Sequence, residues 1–276
     1  MIHLTIDGKP VEVEKGTTIL HAAKKVGITI PTLCYIEDLL PDGSCRLCVV
    51  EACTMQVSEG DEVFTMSEKV VESRKQTLDL LLSDHNTHCF SCPGNGDCKL
   101  QDYAYEYGVE TSSYTGAKSG GEIDDSNKFF TYDPSLCILC HRCVNTCNQI
   151  VGRGAIATLE RGFQSVIGNG EGLWADGTCE SCGNCVQACP TGALTMKRRK
   201  KYRAYQIDKK VLTTCPHCAT GCQYYLLVKD GKIVDTEAYD GPSNKGLLCV
   251  KGRSGSFDFV HHPSRITDPL IKNKET

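Results

Sequence analysis

Residues 137–148 read CILCHRCVNTCN and residues 179–190 read CESCGNCVQACP, two copies of one spacing: Cys137-x2-Cys140-x2-Cys143-x3-Cys147 and Cys179-x2-Cys182-x2-Cys185-x3-Cys189-Pro190. Thiolates are soft ligands, and three close cysteines followed by a fourth is the spacing that holds a pair of 4Fe-4S clusters, the fourth ligand going to the other cluster. Crossed ligation then predicts one set of Cys137, Cys140, Cys143 and Cys189 and another of Cys147, Cys179, Cys182 and Cys185. Asn148 stands where the second copy has Pro190, which shapes a turn and binds no iron. His141, between ligands, reads as an exposed loop residue, with cluster tuning or docking as the alternatives.

Outward from this stretch, the 19 cysteines of the 276-residue chain fall into five groups, four of four members and one of three. Five four-ligand sites need one more donor than the cysteines supply, and histidine is the commonest nitrogen ligand. His85 and His88 both lie beside the three-member group. Zinc is the alternative for an isolated group of this kind. In a small secreted protein such a cysteine content would mean disulfides, but the opening Met1-Ile2-His3-Leu4-Thr5 has no basic and apolar leader, so a reducing cytoplasm is expected. No run of about 18 apolar residues occurs, which excludes a transmembrane helix. The net charge of -4 gives no general reason to expect nucleic acid. The basic run Lys197-Arg198-Arg199-Lys200-Lys201 reads as a solvated linker or a docking surface for an acidic partner. Neither a G-x-G-x-x-G nor a P-loop sequence is present, and Gly168 to Gly172 is a loop, so no nucleotide site is expected.

At the front, residues 2 to 6 alternate as a strand, Asp7-Gly8 turns, and Pro10 to Glu14 return with Val11 and Val13 on one face. A helix follows, capped by Thr17 or Thr18, with Ile19, Leu20, Ala22, Ala23 and Val26 apolar and Gly27 as its stop. Then come Cys34 and Gly43-Ser44-Cys45-Arg46-Leu47-Cys48. This order resembles the β-grasp 2Fe-2S ferredoxin domain of the large iron–sulfur subunit of NADH-quinone oxidoreductases and of related hydrogenases and formate dehydrogenases. The resemblance makes Cys34, Cys45 and Cys48 ligands of a 2Fe-2S cluster. It carries Cys53 over as the fourth, although only four residues separate it from Cys48, where the family has a hairpin of about a dozen.

Ser67 can cap a helix to about Ser83 with Val70, Val71, Leu78, Leu81 and Leu82 on one side. After it, His85-x3-Cys89-x2-Cys92-x5-Cys98 and Leu100-Gln101-Asp102 resemble the same family's 4Fe-4S module with one histidine and three cysteines, and its spacing selects His85 over His88. Residues 111 to 128 read as a linker or surface loop. Between the paired motifs, the apolar residues of 150–156 and 163–167 are expected to cover the clusters. Cys215-x2-Cys218-x3-Cys222, completed by Cys249 and followed by Lys251-Gly252-Arg253, is similar to the 4Fe-4S domain that opens the molybdopterin oxidoreductases; two strands are expected around Asp230-Gly231.

Taken over nearly the whole chain, the resemblance implies an α+β multi-module iron–sulfur protein. Its parts are a β-grasp 2Fe-2S domain at 1–78, a histidine-ligated 4Fe-4S module at 79–118, a two-cluster ferredoxin-like module at 119–204, a molybdopterin-oxidoreductase-type 4Fe-4S domain at 205–265 and a tail at 266–276. It further implies an electron-transfer subunit with one 2Fe-2S and four 4Fe-4S clusters and no molybdopterin or flavin of its own. The implied partners are a flavoprotein that oxidises NAD(P)H and ferredoxin or another redox subunit, as in a flavin-based electron-bifurcating complex. The alternatives are the electron-delivering subunit or amino-terminal fragment of a formate dehydrogenase or hydrogenase, and a zinc-binding structural protein.

Overall fold

In the computed structural model, which describes residues 1–255 and 257–272, the chain divides into two units: residues 1–179 with 184–204, and residues 180–183 with 205 onward. The end of the expected tail, 273–276, and the side chains of Lys200 and Lys201 lie outside the described residues.

The first unit begins with a mixed three-stranded sheet, order β2-β1-β3, of β1 (Ile2–Ile6), β2 (Lys9–Val13) and β3 (Glu62–Val63). β1 pairs antiparallel with β2 from Ile2↔Val13 to Ile6↔Lys9, so the returning strand starts one residue earlier than its sequence suggests; β3 joins in parallel. Alternation puts Leu4, Ile6, Val11 and Val13 on the face covered by α1 (Ile19–Lys25), whose Ile19, Leu20, Ala22 and Ala23 fill the core. Burying each larger aliphatic side chain contributes about 1.5–3 kcal/mol. Thr18 caps α1, its hydroxyl accepting from His21 N–H.

Helix α2 (Glu68–Asp84) turns Arg74, Leu78 and Leu82 inward, a stripe of period four. Leu78 and Leu82 pack with Leu33 and Leu47 from the first cysteine loop and with Cys98, Leu100 and Ala104 around α3 (Lys99–Glu106). Residues 111–128 form an irregular surface segment, yet they are strapped to α2: Ser112 Oγ and Ser113 N donate to Asp79 Oδ1 at 2.6 and 2.9 Å, and Lys118 Nζ donates to His85 O at 2.7 Å.

The paired cysteine motifs are closed by β4 (Phe130–Tyr132) before the first and β7 (Leu194–Met196) after the second, joined antiparallel from Phe130↔Met196 to Tyr132↔Leu194. Between them lie α4 (Arg142–Asn145), a π-helical turn at Thr146–Val151, the hairpin of β5 (Ala157–Leu159) and β6 (Val166–Gly168), and α5 (Asn184–Ala188). Ile156, Ile167 and Trp174 are buried here, Trp174 edge-on to Phe130 at 5.5 Å. Phe163, expected to cover a cluster, is 55% exposed instead, because a short 3-10 turn carries it outside the hairpin. The basic run is neither free linker nor open surface throughout: Lys197 Nζ lies 3.4 Å from Asp125 and Arg199 pairs with Asp97 at 2.8 Å.

The second unit is an antiparallel sheet, order β10-β9-β8, of β8 (Lys209–Thr214), β9 (Gln223–Lys229) and β10 (Lys232–Ala238), followed by α6 (Val250–Ser254). β9 and β10 are the two expected strands, and φ is positive at both Asp230 (50°) and Gly231 (72°), as a type I′ turn requires. No helix among the described residues is long and apolar enough to cross a membrane.

Candidate metal centres

Cys34, Cys45, Cys48 and Cys53 come from loops that Leu33, Leu47 and Ala52 anchor in two apolar cores. Their sulfurs act on one another. Hydrogen bonding with Cys45 and then burial raise the Cys34 pKa, and the same hydrogen bond pulls Cys45 down to about 5. Burial raises Cys48 and Cys53, and the neighbouring thiolates add to both shifts. The short Cys48–Cys53 connection is a tight turn in which Glu51 pairs with Arg46 and accepts from Thr54 Oγ1. Cys53 is buried in the first apolar core, with Cys48 packed against the same core.

His85 follows α2 as its C-cap, 6% exposed, while His88 is exposed. Burial lowers the His85 pKa to about 4, so the ring is neutral. Its Nδ1 is buried with no hydrogen-bond partner among the described residues, and a neutral imidazole with an unused ring nitrogen fits a metal ligand. Burial raises Cys92, with Cys89 adding to the rise, and burial pushes Cys98 up to about 12, with Cys92 adding to it.

The third set crosses between motifs. Cys137, Cys140 and Cys143 share with Cys189, Tyr132 and Ile167 the lining of a small apolar cavity of about 20 Å³. Burial raises all three, Cys137 to about 11 and Cys140 to about 12, and Cys189 contributes to each rise. The Tyr132 hydroxyl bonds to the Cys137 sulfur and accepts from Ile167 N–H at 3.3 Å. Leu139 and His141 of the first loop have φ of 50° and 58°, and Ser181 and Gly183, the equivalent positions of the second, have 56° and 73°. The repeat is therefore one of backbone shape as well as spacing. Left-handed non-glycine residues carry a strain of roughly 1 kcal/mol each, of the kind that persists where a site imposes it.

Cys147 accepts from Ala155 N–H at 3.4 Å and packs with Cys179 and Cys185 in the same apolar cluster as Cys137, Cys143 and Cys189. Cys182 belongs to the second unit, where Arg253 Nε donates to its carbonyl at 3.0 Å. In that unit Cys222 is raised by burial, with Cys215, Cys218 and Cys249 adding to the rise; Cys218 and Cys249 are exposed. His141 is corrected: it is partly buried, and its Nδ1 lies 3.0 Å from Asp42 Oδ2 of the first cysteine loop. Among the described residues no group of three or more His, Cys, Asp or Glu side chains is set to hold a single metal ion. Cys48, Cys53, Cys92, Cys98, Cys137, Cys140 and Cys143 are raised by burial, and such thiols fit an iron cluster, whose positive charge displaces their protons.

Sequence spacing did not reveal the joint between two sets. Lys99 N donates to Pro190 O at 2.8 Å, and a Cβ on Gly192 would stand 2.6 Å from Cys92 Sγ. One on Gly94 would stand 2.9 Å from Gly192 Cα. Two glycines let the loops touch backbone to backbone. Gly192→Ala is expected to cost about 1–3 kcal/mol by overpacking, and with it several degrees of thermal midpoint. Calorimetry on the loaded protein checks this, and an unchanged midpoint would refute it.

Family profiles match in the same order along the chain. They are the 2Fe-2S iron-sulfur cluster binding domain at 1–68, the NADH-ubiquinone oxidoreductase-G iron-sulfur binding region at 74–113 and the NADH-quinone oxidoreductase subunit 3 ferredoxin-like domain at 129–195. A 4Fe-4S dicluster domain matches at 178–225 and the molybdopterin oxidoreductase Fe4S4 domain at 208–261. A chain in the crystal structure of an NAD+-reducing NiFe hydrogenase in the H2-reduced state superposes with a TM-score of 0.67 at 31% identity, covering 71% of this chain and 87% of that one. This chain belongs to the iron–sulfur subunit family of NAD(P)-linked oxidoreductases. Within that family, the NADPH-Fe(3+) oxidoreductase subunit alpha of Geobacter sulfurreducens is 37% identical over 284 residues, which is 100% of this chain and 33% of that protein. The NADP-reducing hydrogenase subunit HndD of Solidesulfovibrio fructosivorans is 40% identical over 209 residues, 70% of this chain and 36% of that protein. The chain thus spans about a third of the length of the curated relatives it matches. Its modules are a 2Fe-2S and several 4Fe-4S cluster-binding regions.

Proposed function

We propose that this chain is a cytoplasmic electron-transferring subunit that holds one 2Fe-2S and four 4Fe-4S clusters. The 2Fe-2S ligands are Cys34, Cys45, Cys48 and Cys53. The 4Fe-4S ligands are His85 with Cys89, Cys92 and Cys98; Cys137, Cys140, Cys143 and Cys189; Cys147, Cys179, Cys182 and Cys185; and Cys215, Cys218, Cys222 and Cys249. The observation that carries the reading is the small apolar cavity lined by three cysteines of one motif and by the last of the other, Cys189. When bound, the clusters supply one-electron chemistry. The chain's own residues supply the thiolates, the neutral His85 ring and a dry apolar lining.

The partners that fit are a flavoprotein oxidising NAD(P)H on one side and ferredoxin or another redox subunit on the other, in a flavin-based electron-bifurcating complex. Relatives named for NADPH, NADP and NAD+ chemistry support the pyridine-nucleotide side. Anaerobically purified protein is expected to contain about 18 iron with matching sulfide and to bring a flavoprotein with it. A predominance of zinc would sink the proposal.

A second reading rests on the molybdopterin-oxidoreductase match at 208–261 and on Staphylococcus aureus proteins described as putative formate dehydrogenases, 28% identical over 98% of this chain. On it, the same relay delivers electrons to or from a formate dehydrogenase or hydrogenase catalytic part. Molybdenum or tungsten in the purified native assembly would favour the formate dehydrogenase form of that reading.

A further inference from the structure

Arg142 lies between Cys140 and Cys143 at the start of α4, but its guanidinium serves two other loops. Its Nε donates to Ala188 O at 2.6 Å, and one terminal nitrogen donates to Tyr35 O at 2.8 Å. Tyr35 directly follows Cys34, and Ala188 directly precedes Cys189. Ala188 is also the last residue of α5, so its carbonyl lacks an intrahelical donor and the arginine supplies one.

One planar fork therefore fastens the Cys34 loop, the Cys140–Cys143 loop and the Cys189 turn. A guanidinium can hold two acceptors at a fixed angle, whereas an ammonium on a flexible stem is a single point donor. Two further bonds seat the same pair of loops: His141 Nδ1 with Asp42 Oδ2 at 3.0 Å, and Leu40 N with Gln149 Oε1 at 3.3 Å. Neither of these reaches the Cys189 turn. Arg142 hydrogen-bonds to ligand neighbours from both sets.

We propose that Arg142 is the positioning residue that fixes the separation between the Cys34/Cys45/Cys48/Cys53 set and the Cys137/Cys140/Cys143/Cys189 set, and with it the electronic coupling between them. The proposal rests on the cluster assignment given above. In the exchange it governs, one centre gives up a single electron and the other takes it, with no bond made or broken and no proton moved.

The test compares the full-length parent, Arg142→Gln and Arg142→Lys, all loaded and purified without oxygen. Iron content and the two reduced-cluster paramagnetic resonance signals are measured first, then the relaxation enhancement that each reduced centre imposes on the other. The expected result is parental iron content with a loss of part of that enhancement in both variants, since lysine restores the charge but not the fork. Should one variant lose iron, the other gives the reading. Unchanged enhancement in a fully loaded variant overturns the proposal, and so does restoration by lysine, which would make the role one of charge alone. Loss of iron from both variants overturns it as well, leaving Arg142 a structural support. A parent without the two signals would refute the cluster assignment instead.

Discussion

Replacing Cys137 and Cys189 together by alanine is expected to remove about four iron per chain, whereas replacing Cys185 and Cys189 together is expected to remove about eight. The asymmetry follows from crossing. Cys189 lines the cavity of Cys137, Cys140 and Cys143, so the first pair strips two ligands from one centre. Cys185 belongs with Cys147, Cys179 and Cys182 on the spacing argument, so the second pair damages two centres at once. Ligation within each motif would reverse the two results, the first pair costing about eight and the second about four. Sequence adjacency and spatial grouping thus give opposite orders, and a general loss of fold cannot mimic either. Retention of the 2Fe-2S signal from the Cys34 set, which neither pair touches, serves as the internal check on folding. Equal losses from the two pairs, with that signal intact, would contradict crossed ligation.

The cluster-binding modules were the most legible feature of the sequence because cysteine spacing is local information. A Cys-x2-Cys loop has few ways to aim two sulfurs at one centre, and the same left-handed positions recur in both copies, at Leu139 and Ser181 and at His141 and Gly183. The β1–β2 hairpin and α1 were legible for a similar reason, since alternation, Thr18 and Gly27 all lie within one short segment. β8 was missed: Lys209-Lys210-Val211-Leu212-Thr213-Thr214 is mostly exposed, and it becomes a strand by pairing with β9 rather than by pattern. What spacing could not supply is how the sets meet. Gly94 against Gly192, His141 against Asp42 and Arg142 across two carbonyls are contacts between residues about fifty to a hundred positions apart or more, and no periodicity encodes them. The serine strap from 112 to 119 onto Asp79 and Asp84 was likewise hidden inside a stretch whose composition says only loop. Arg74 had a signal that was not used. It stands four residues before Leu78 and eight before Leu82, on the stripe that α2 buries.

Arg74→Met is expected to destabilise the first unit by about 3 kcal/mol, a fall in thermal midpoint of about 6–12 °C. The sign needs an argument, because two effects compete. Arg74 is 2% exposed, and among the described residues no carboxylate pairs with it, so removing its charge relieves a desolvation cost. Against this, its Nε donates to Leu47 O and Nη1 to the Tyr107 hydroxyl, both at 3.0 Å, and the guanidinium lies 5.7 Å from the Tyr107 ring centre. Methionine fills the volume but leaves two buried acceptors unpaired, each at about 1–3 kcal/mol. The fixed geometry of both bonds decides for destabilisation. Leu47 lies between Cys45 and Cys48, and the Arg74 charge opposes the burial-driven rise of Cys48. A buried cation without a carboxylate is tolerable where thiolates and a bound cluster supply the opposite charge, so the same variant is also expected to lower the potential of the Cys34-set centre. Calorimetry and a redox titration followed by paramagnetic resonance measure the two effects on one sample. A midpoint equal to or above the parent's would show that desolvation outweighs the hydrogen bonds, and an unchanged potential would remove Arg74 as the counter-charge.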